Sequence, residues 1–242
     1  MSVLDSFTPD KKFQGITEIA NNLDIQKSTV HTILNTLKEE GYIIYDQATK
    51  KYCLGYKILE LSKRITYRMD LRKLAYPIME ELSKKCEEDI ALNILVENKR
   101  LCVELVESRY FVRQFVPIGK ALPLHCSAAG KALLAFLPNT QITEIIGKTG
   151  LQRFTDKTIT DKATLINELD SIVKNRFAES YEEYGKDAAA IAFPVFNEKE
   201  DIIASISIQS TINRISDEIR KLFISYGKES AEKLTMLLRS LE

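Results

Sequence analysis

The chain carries no net charge: 34 Lys and Arg residues balance 34 Asp and Glu residues over 242 positions. Bulk attraction to nucleic acid is therefore absent, and any DNA contact has to come from local placement of basic and polar groups. Long apolar runs are missing as well. The longest candidate, Ala132 to Leu137, falls far short of the ~20 residues that a membrane-spanning helix needs. The N-terminus, Met1-Ser2-Val3-Leu4-Asp5, has no basic stretch leading into an apolar one, so no secretory signal is expected and a cytoplasmic location is. Cysteine is sparse (Cys53, Cys86, Cys102, Cys126), and no two have the C-x-x-C spacing of a zinc or redox site. Reduced thiols are expected. Histidine occurs only at His31 and His125, which leaves little material for a metal centre, and no cofactor is expected. The rest of the composition, 45% hydrophobic and 28% charged, is that of an ordinary globular protein with one or two domains.

Periodicity organises the first sixty residues. Ile16, Ile19, Ala20 and Leu23 fall at i, i+3, i+4 and i+7, which predicts a short amphipathic helix over Gly15 to Asn22. Asn22-Leu23-Asp24-Ile25 then reads as a turn around an apolar anchor. A second helix is predicted from Gln26 to Glu40, with Val30, Ile33, Leu34 and Leu37 buried and Gly41 as its terminator. The opposite face carries Lys27, Ser28, His31, Thr32 and Asn35, with Thr29 beside them, and no acid. Phosphates repel carboxylates and base edges need donors and acceptors, so this polarity suits a helix in the major groove. Two short strands, Tyr42 to Tyr45 and Lys51 to Leu54, enclose the turn Asp46 to Lys50. Helix, turn, helix and hairpin is the winged-helix order, and Lys50 and Lys51 at the hairpin are placed for phosphate contact. The same pattern also fits a protein-interaction module.

A linker helix is predicted from Tyr56 to Tyr67, with Ile58, Leu61 and Ile65 on one face, and a domain boundary near Met69-Asp70. Beyond it the pattern predicts a helix over Leu71 to Glu87 and strands over Ile90 to Glu97, Leu101 to Glu107 and Phe111 to Pro117. Asn98-Lys99-Arg100 and Ser108-Arg109-Tyr110 read as turns. Helices follow at Ser127 to Leu137 (opened by a Ser N-cap), Thr140 to Lys148 and Asp161 to Arg176. Strands fit Ala188 to Phe196 and Ile202 to Ser210, and a closing helix fits Ser216 to Leu241. This order suggests an α+β fold with one antiparallel sheet covered by helices. Ser127-Ala128-Ala129-Gly130 puts small residues at a helix N-terminus, where free N–H groups could hold a carboxylate without any Arg. Close packing of helix on sheet would select the same residues.

The run Gly15-Ile16-Thr17-Glu18-Ile19-Ala20, then Leu23 to His31, Leu34-Asn35-Thr36-Leu37, Gly41-Tyr42 and Tyr52-Cys53-Leu54-Gly55, resembles the DNA-binding domain of the IclR family. Leu122-Pro123-Leu124-His125-Cys126-Ser127-Ala128-Ala129-Gly130-Lys131-Ala132 resembles the family's effector domain, as do Ser180, Glu183 and Ala190 to Asn197. The resemblance spans nearly the whole chain in order. It implies a winged helix-turn-helix over residues 1–55, a linker helix over 56–69 and a GAF-like effector domain over 70–242. It also implies a regulator that binds double-stranded operator DNA as a homodimer, or as a tetramer built from two dimers, with no membrane partner. The implied effector is a small organic acid, such as a sugar acid or aromatic acid. Carried over residue by residue, Phe111, Gln114, Ala128, Ala129, Ser180, Ala188, Ala190, Ser207 and Gln209 would surround it. The family usually has Arg where this chain has Thr32, and Gly where it has Arg176 and Asp187. It often has Cys in place of Ala190, and the segment from Phe177 to Lys186 has no clear assignment.

An enzyme reading has little to stand on. His125 and Cys126 are adjacent, and neighbours in an extended segment point to opposite sides, so the imidazole cannot activate that thiol. A hydrolase using Cys126 would require a base from elsewhere. Glu182 and Glu183 read as a solvated turn, and the resemblance makes Glu183 structural. The direction of the effector's action on DNA is open at this level.

Overall fold

The computed structural model describes residues 2–8, 10–63, 66–111, 113 and 116–240. The chain divides into two compact units, residues 1–69 and 70–242.

In the first unit a short helix α1 (Ser2–Asp5) precedes α2 (Ile16–Leu23) and α3 (Lys27–Glu39). Glu18 Oε2 accepts the Gly15 N–H at 2.6 Å and fixes the start of α2. Asp24, with φ 53°, breaks α2 from α3 in the left-handed conformation that Asp tolerates. The hairpin β1 (Ile43–Asp46) and β2 (Lys51–Leu54) pairs Ile43 with Leu54 and Asp46 with Lys51. Asp46 Oδ1 receives the Ala48 N–H at 2.8 Å, an Asx turn that tightens the tip. Gln14 exchanges two backbone hydrogen bonds with Tyr52, so a third extended segment flanks the wing. Ile19, Ala20, Val30, Leu34, Ile43 and Tyr52 form the core. Ile33 and Leu37, expected buried, are half-buried at its margin.

From Lys57 on the linker is helical wherever it is described: helix α4 (Lys57–Lys63) is followed by α5 (Thr66–Cys86), which begins five residues before the expected Leu71, and the two compact units divide at Met69-Asp70, inside that helix. Residues 66–70 contain neither Gly nor Pro, so no residue there ends a helix. Ile65, expected on the linker's apolar face, lies outside the described residues.

Among its described residues the second unit is built on a six-stranded antiparallel sheet. Its strands are β3 (Asp89–Val96), β4 (Lys99–Val106), β5 (Ala121–Leu122), β6 (Ala178–Tyr181), β7 (Ala188–Phe196) and β8 (Ile202–Thr211), in the order β5-β4-β3-β8-β7-β6. Period-2 alternation gives the sheet two different faces. One carries Ile191, Phe193, Val195, Ile206 and Ile208 against α5 and the terminal helix α9 (Asp217–Arg239). The other carries small and polar side chains, including Ala190, Ala192, Ser205 and Ser207. It meets α6 (Ala128–Leu134), behind which α7 (Asn139–Thr149) and α8 (Lys162–Asn175) pack.

Three local expectations are corrected. Among the described residues of 111–117 none is in a strand. The edge of β4 is occupied instead by residues 119–122, turned in at Gly119 (φ 84°), whose N–H donates to the Cys102 carbonyl at 2.8 Å. The turn placed at Asn98-Lys99-Arg100 is tighter: Val96 pairs with Lys99 and Leu95 with Arg100, so Arg100 is a strand residue. The unassigned segment after Phe177 holds strand β6; Arg176 stands before it and Asp187 directly before β7, both at φ 60°. These are the two positions where glycine was expected. Arg176 sits 4.9 Å from the Phe196 ring centroid and 5.4 Å from that of Phe136, interactions that offset its backbone strain.

Candidate functional site

The first candidate site is the outer face of α3. Val30 and Leu34 are fully buried on one side, which turns Lys27, Ser28, Thr29, His31 and Thr32 outward, all exposed; Asn35 is half-buried. The Thr32 hydroxyl donates to the Ser28 carbonyl at 3.1 Å, and Asn35 Nδ2 meets His31 Nδ1 at 3.3 Å. No acid interrupts this face. Lys50 is exposed at φ 54° at the tip of the wing. Lys51 is half-buried and paired with Glu18 at 3.1 Å. Both partners are solvent-accessible, and such a pair contributes little stability, so the lysine is readily released to a phosphate.

The second candidate site is a cavity of about 190 Å³ in the second unit. Its floor is the polar face of the sheet. Ser180, Ala190 and Gln209 lie side by side across β6, β7 and β8, and Ala192 and Ser207 form the next row. Its roof is the start of α6, with Ser127, Ala128 and Ala129. Ser127 Oγ caps this helix by accepting the Gly130 N–H at 3.2 Å. Gly130 is required by close approach: a Cβ there would sit 2.3 Å from the Leu124 carbonyl oxygen, a backbone atom that cannot move aside alone. One wall is the segment Glu183-Tyr184-Gly185, and the opposite wall is Arg100 of β4, Leu122 of β5 and Lys120, which precedes β5.

Of the residues expected around an effector, Ala128, Ala129, Ser180, Ala188, Ala190, Ser207 and Gln209 line this cavity together. Phe111 does not. It is fully exposed and lies in no strand. Gln114 lies outside the described residues. Sequence reasoning missed Arg100 and gave Glu183 only a structural role. Arg100 had been placed in a turn, and only its pairing opposite Leu95 reveals that it points into the sheet layer.

The electrostatics of the cavity centre on these two residues. Arg100 is 4% exposed; its Nη1 donates to Asn93 Oδ1 at 2.8 Å and its Nε has no acceptor. Burial pulls its pKa down, yet a guanidinium stays charged in proteins. The cavity wall thus carries a buried guanidinium in addition to the N-terminus of α6. Glu183 is held by Lys131, whose Nζ, 1% exposed at the side chain, donates to Glu183 Oε1 at 2.6 Å and to Glu168 Oε1 at 2.9 Å. Burial pushes the Glu183 pKa up, and Lys131 opposes that shift. Glu183 is therefore a buried member of a charge cluster: the solvated-turn reading is corrected, and the structural role implied by the resemblance agrees with this placement.

Catalytic chemistry has no support here. Burial pushes the Cys126 thiol up to about 12, so it is not a thiolate at neutral pH. His125 donates from Nε2 to the Gln152 carbonyl at 3.0 Å, and burial lowers its pKa. Among the described residues no group of His, Cys, Asp and Glu is placed to hold a metal, and no helix is long and apolar enough to cross a membrane.

Residues 63–236 match the family described as bacterial transcriptional regulator IclR C-terminal, and residues 1–47 match the IclR helix-turn-helix domain. The chain is 34% identical to the HTH-type transcriptional regulator KipR of Bacillus subtilis, over 97% of this chain and 93% of that one. It is 32% identical to the HTH-type transcriptional regulator KdgR of Escherichia coli, over 91% and 84% respectively. Among solved structures, an IclR homologue from Microbacterium hydrocarbonoxydans complexed with 4-hydroxybenzoate shares the fold, with a TM-score of 0.89 at 24% identity over 99% of this chain and 97% of that one.

Proposed function

Because the chain belongs to the IclR family of bacterial transcriptional regulators, which bind DNA through a helix-turn-helix and a ligand through the C-terminal domain, we propose that a small organic acid in the second-unit cavity controls its hold on operator DNA. In this reading residues 1–55 bind DNA, 56–69 link and 70–242 sense. Lys27, Ser28, Thr29, His31, Thr32 and Asn35 face the major groove, and Lys50 and Lys51 meet phosphates. The protein acts in the cytoplasm as a homodimer, or as a dimer of dimers, because a two-fold arrangement reads two half-sites one helical turn apart. The effector acts by binding one arrangement of the DNA-binding units better than another.

The observation that carries this reading is the exposed, acid-free face of α3 opposite the buried Val30 and Leu34. The 4-hydroxybenzoate held by the Microbacterium homologue, itself a small carboxylate, supports the acid class of effector. Fluorescence anisotropy on the DNA upstream of the chain's own gene, across a salt series, tests it. Lys27→Ala with Lys50→Ala should weaken binding, and loss of the Lys50 phosphate contact from both protomers of a homodimer should lower the salt slope by about two, at roughly 0.9 for each phosphate no longer neutralised. An unchanged affinity and slope would refute the assigned face.

A further inference from the structure

The outer face of α3 offers different chemistry at different positions. The Thr32 hydroxyl donates to the Ser28 carbonyl at 3.1 Å, and the Thr36 hydroxyl repeats this one turn on, donating to the Thr32 carbonyl at 3.2 Å. A threonine bonded back in this way commits its only hydrogen inside the helix and draws its oxygen onto the preceding turn. Its methyl group is what remains to face outward. Thr32 is exposed, so that methyl packs in no core of the unit. With Val30 and Leu34 fully buried, helical geometry puts Ser28, Thr32 and Asn35 farthest from the core. Thr32 also lies in the N-terminal half of α3, the half of a recognition helix that reaches base edges. The flanking side chains keep their donors. Asn35 Nδ2 donates to His31 Nδ1 at 3.3 Å, and an imidazole that accepts at Nδ1 carries its proton at Nε2, directed away from that bond. Lys27 brings an ammonium at the first residue of the helix. In the major groove such donors are answered by N7, O6 or O4 of several bases. A methyl group is answered by one base: thymine's 5-methyl is the alkyl group that a base pair presents there.

We propose that Thr32 selects a thymine in each half-site of the operator by packing its methyl group on the 5-methyl group of that base. The proposal rests on the reading that this face of α3 enters the major groove, and it adds which base the centre of the face selects. Cytosine at that place would set the Thr32 methyl against a polar amino group, and a purine would offer it only polar edge atoms. The rival contact has an adenine or cytosine amino group donating to Thr32 Oγ1. It needs the oxygen that the bond to the Ser28 carbonyl turns back onto the helix.

The test uses the full chain and the duplex that it selects most tightly from a random-sequence pool. Each thymine of that duplex is replaced in turn by deoxyuridine, which removes the 5-methyl group and nothing else. One thymine in each half-site should respond, with an affinity loss of about fourfold by anisotropy, the effect of withdrawing one buried methyl group. Changing both half-sites together should weaken binding by about fifteenfold. Thr32→Ser keeps the hydroxyl and removes the methyl. It should weaken binding to the thymine duplex by a similar factor and abolish the response to deoxyuridine at that place. Thr32→Val keeps a methyl and removes the hydroxyl, and the ratio of thymine to deoxyuridine affinity should persist in it. If no thymine responds, or if the responding thymine still responds in Thr32→Ser, the assignment of Thr32 is overturned and the groove-facing reading of α3 stands. Loss of the ratio in Thr32→Val would overturn it too, because the contact would then belong to the oxygen. A pool that yields no preferred duplex would overturn the DNA-reading assignment of α3 as well.

Discussion

Replacing Lys131 with Met tests how the cavity wall is held. Lys131 has a side chain 1% exposed between Glu168 and Glu183, the latter 10% exposed at its side chain. Met keeps most of the volume and removes the charge, which strands the Glu183 carboxylate in the interior. Breaking a buried pair in this way costs about 3–5 kcal/mol. Glu168, more than a third exposed, adds little, at roughly 0–1 kcal/mol for a solvated pair. A unit of this size shifts by about 2–4 °C per kcal/mol, so the second unit should melt about 6–20 °C lower. Calorimetry on the full chain is the suitable assay, because the sequence contains no Trp to report on unfolding by fluorescence. The double change Lys131→Met with Glu183→Leu removes both charges and should recover more than half of the loss. The loss should also shrink at acid pH. Without Lys131 the folded state holds the Glu183 proton more tightly than the unfolded chain does, so lowering the pH stabilises the variant relative to the native protein. A single-variant shift below about 3 °C, or a double variant whose loss is the sum of both single losses, would refute the reasoning.

Gly130→Ala drives a Cβ to 2.3 Å from the Leu124 carbonyl oxygen, so it should destabilise by at least the ~1–3 kcal/mol typical of overpacking and loosen ligand binding in the cavity. Gly147→Ala, in α7 with nothing within 4 Å of its Cβ, should stabilise by about 0.5–1 kcal/mol, which paired thermal melts would read directly. The His125 pKa lies below its ordinary value through burial, so the unfolded chain binds the proton more readily. Stability should be full above about pH 6.5 and fall as pH drops through the folded value, and His125→Gln should flatten that slope in melts between pH 5 and 8. The thiols of Cys86 and Cys126 are pushed up to about 12 and that of Cys102 to about 11, while Cys53 is half-buried. Iodoacetamide at pH 8 should modify Cys53 first by mass spectrometry, and rapid labelling of Cys126 in the folded protein would contradict its burial.

The sequence by itself determined the elements whose signal is local. The spacing of Ile16, Ile19 and Ala20 and of Val30 and Leu34 reports on neighbours three and four residues away, and α2, α3, α8, α9, β7 and β8 formed within a residue or two of where that spacing put them. The small residues at Ser127 to Gly130 and the alternation of Ser207 and Gln209 with Ile206 and Ile208 likewise marked two sides of the cavity. Tertiary structure alone decided the rest. Strand β6 is four residues long and exists because β7 offers it an edge, whereas Phe111 stands outside any strand and residues 121–122 pair with β4. The charges of the cavity were illegible for the same reason. Arg100 reads as a surface residue until Leu95 is placed opposite it, and Glu183 reads as a solvated acid until Lys131, 52 positions earlier, is brought within 2.6 Å. Apolar periodicity is written in near neighbours, but whether a charge is buried depends on partners that only the folded chain brings together.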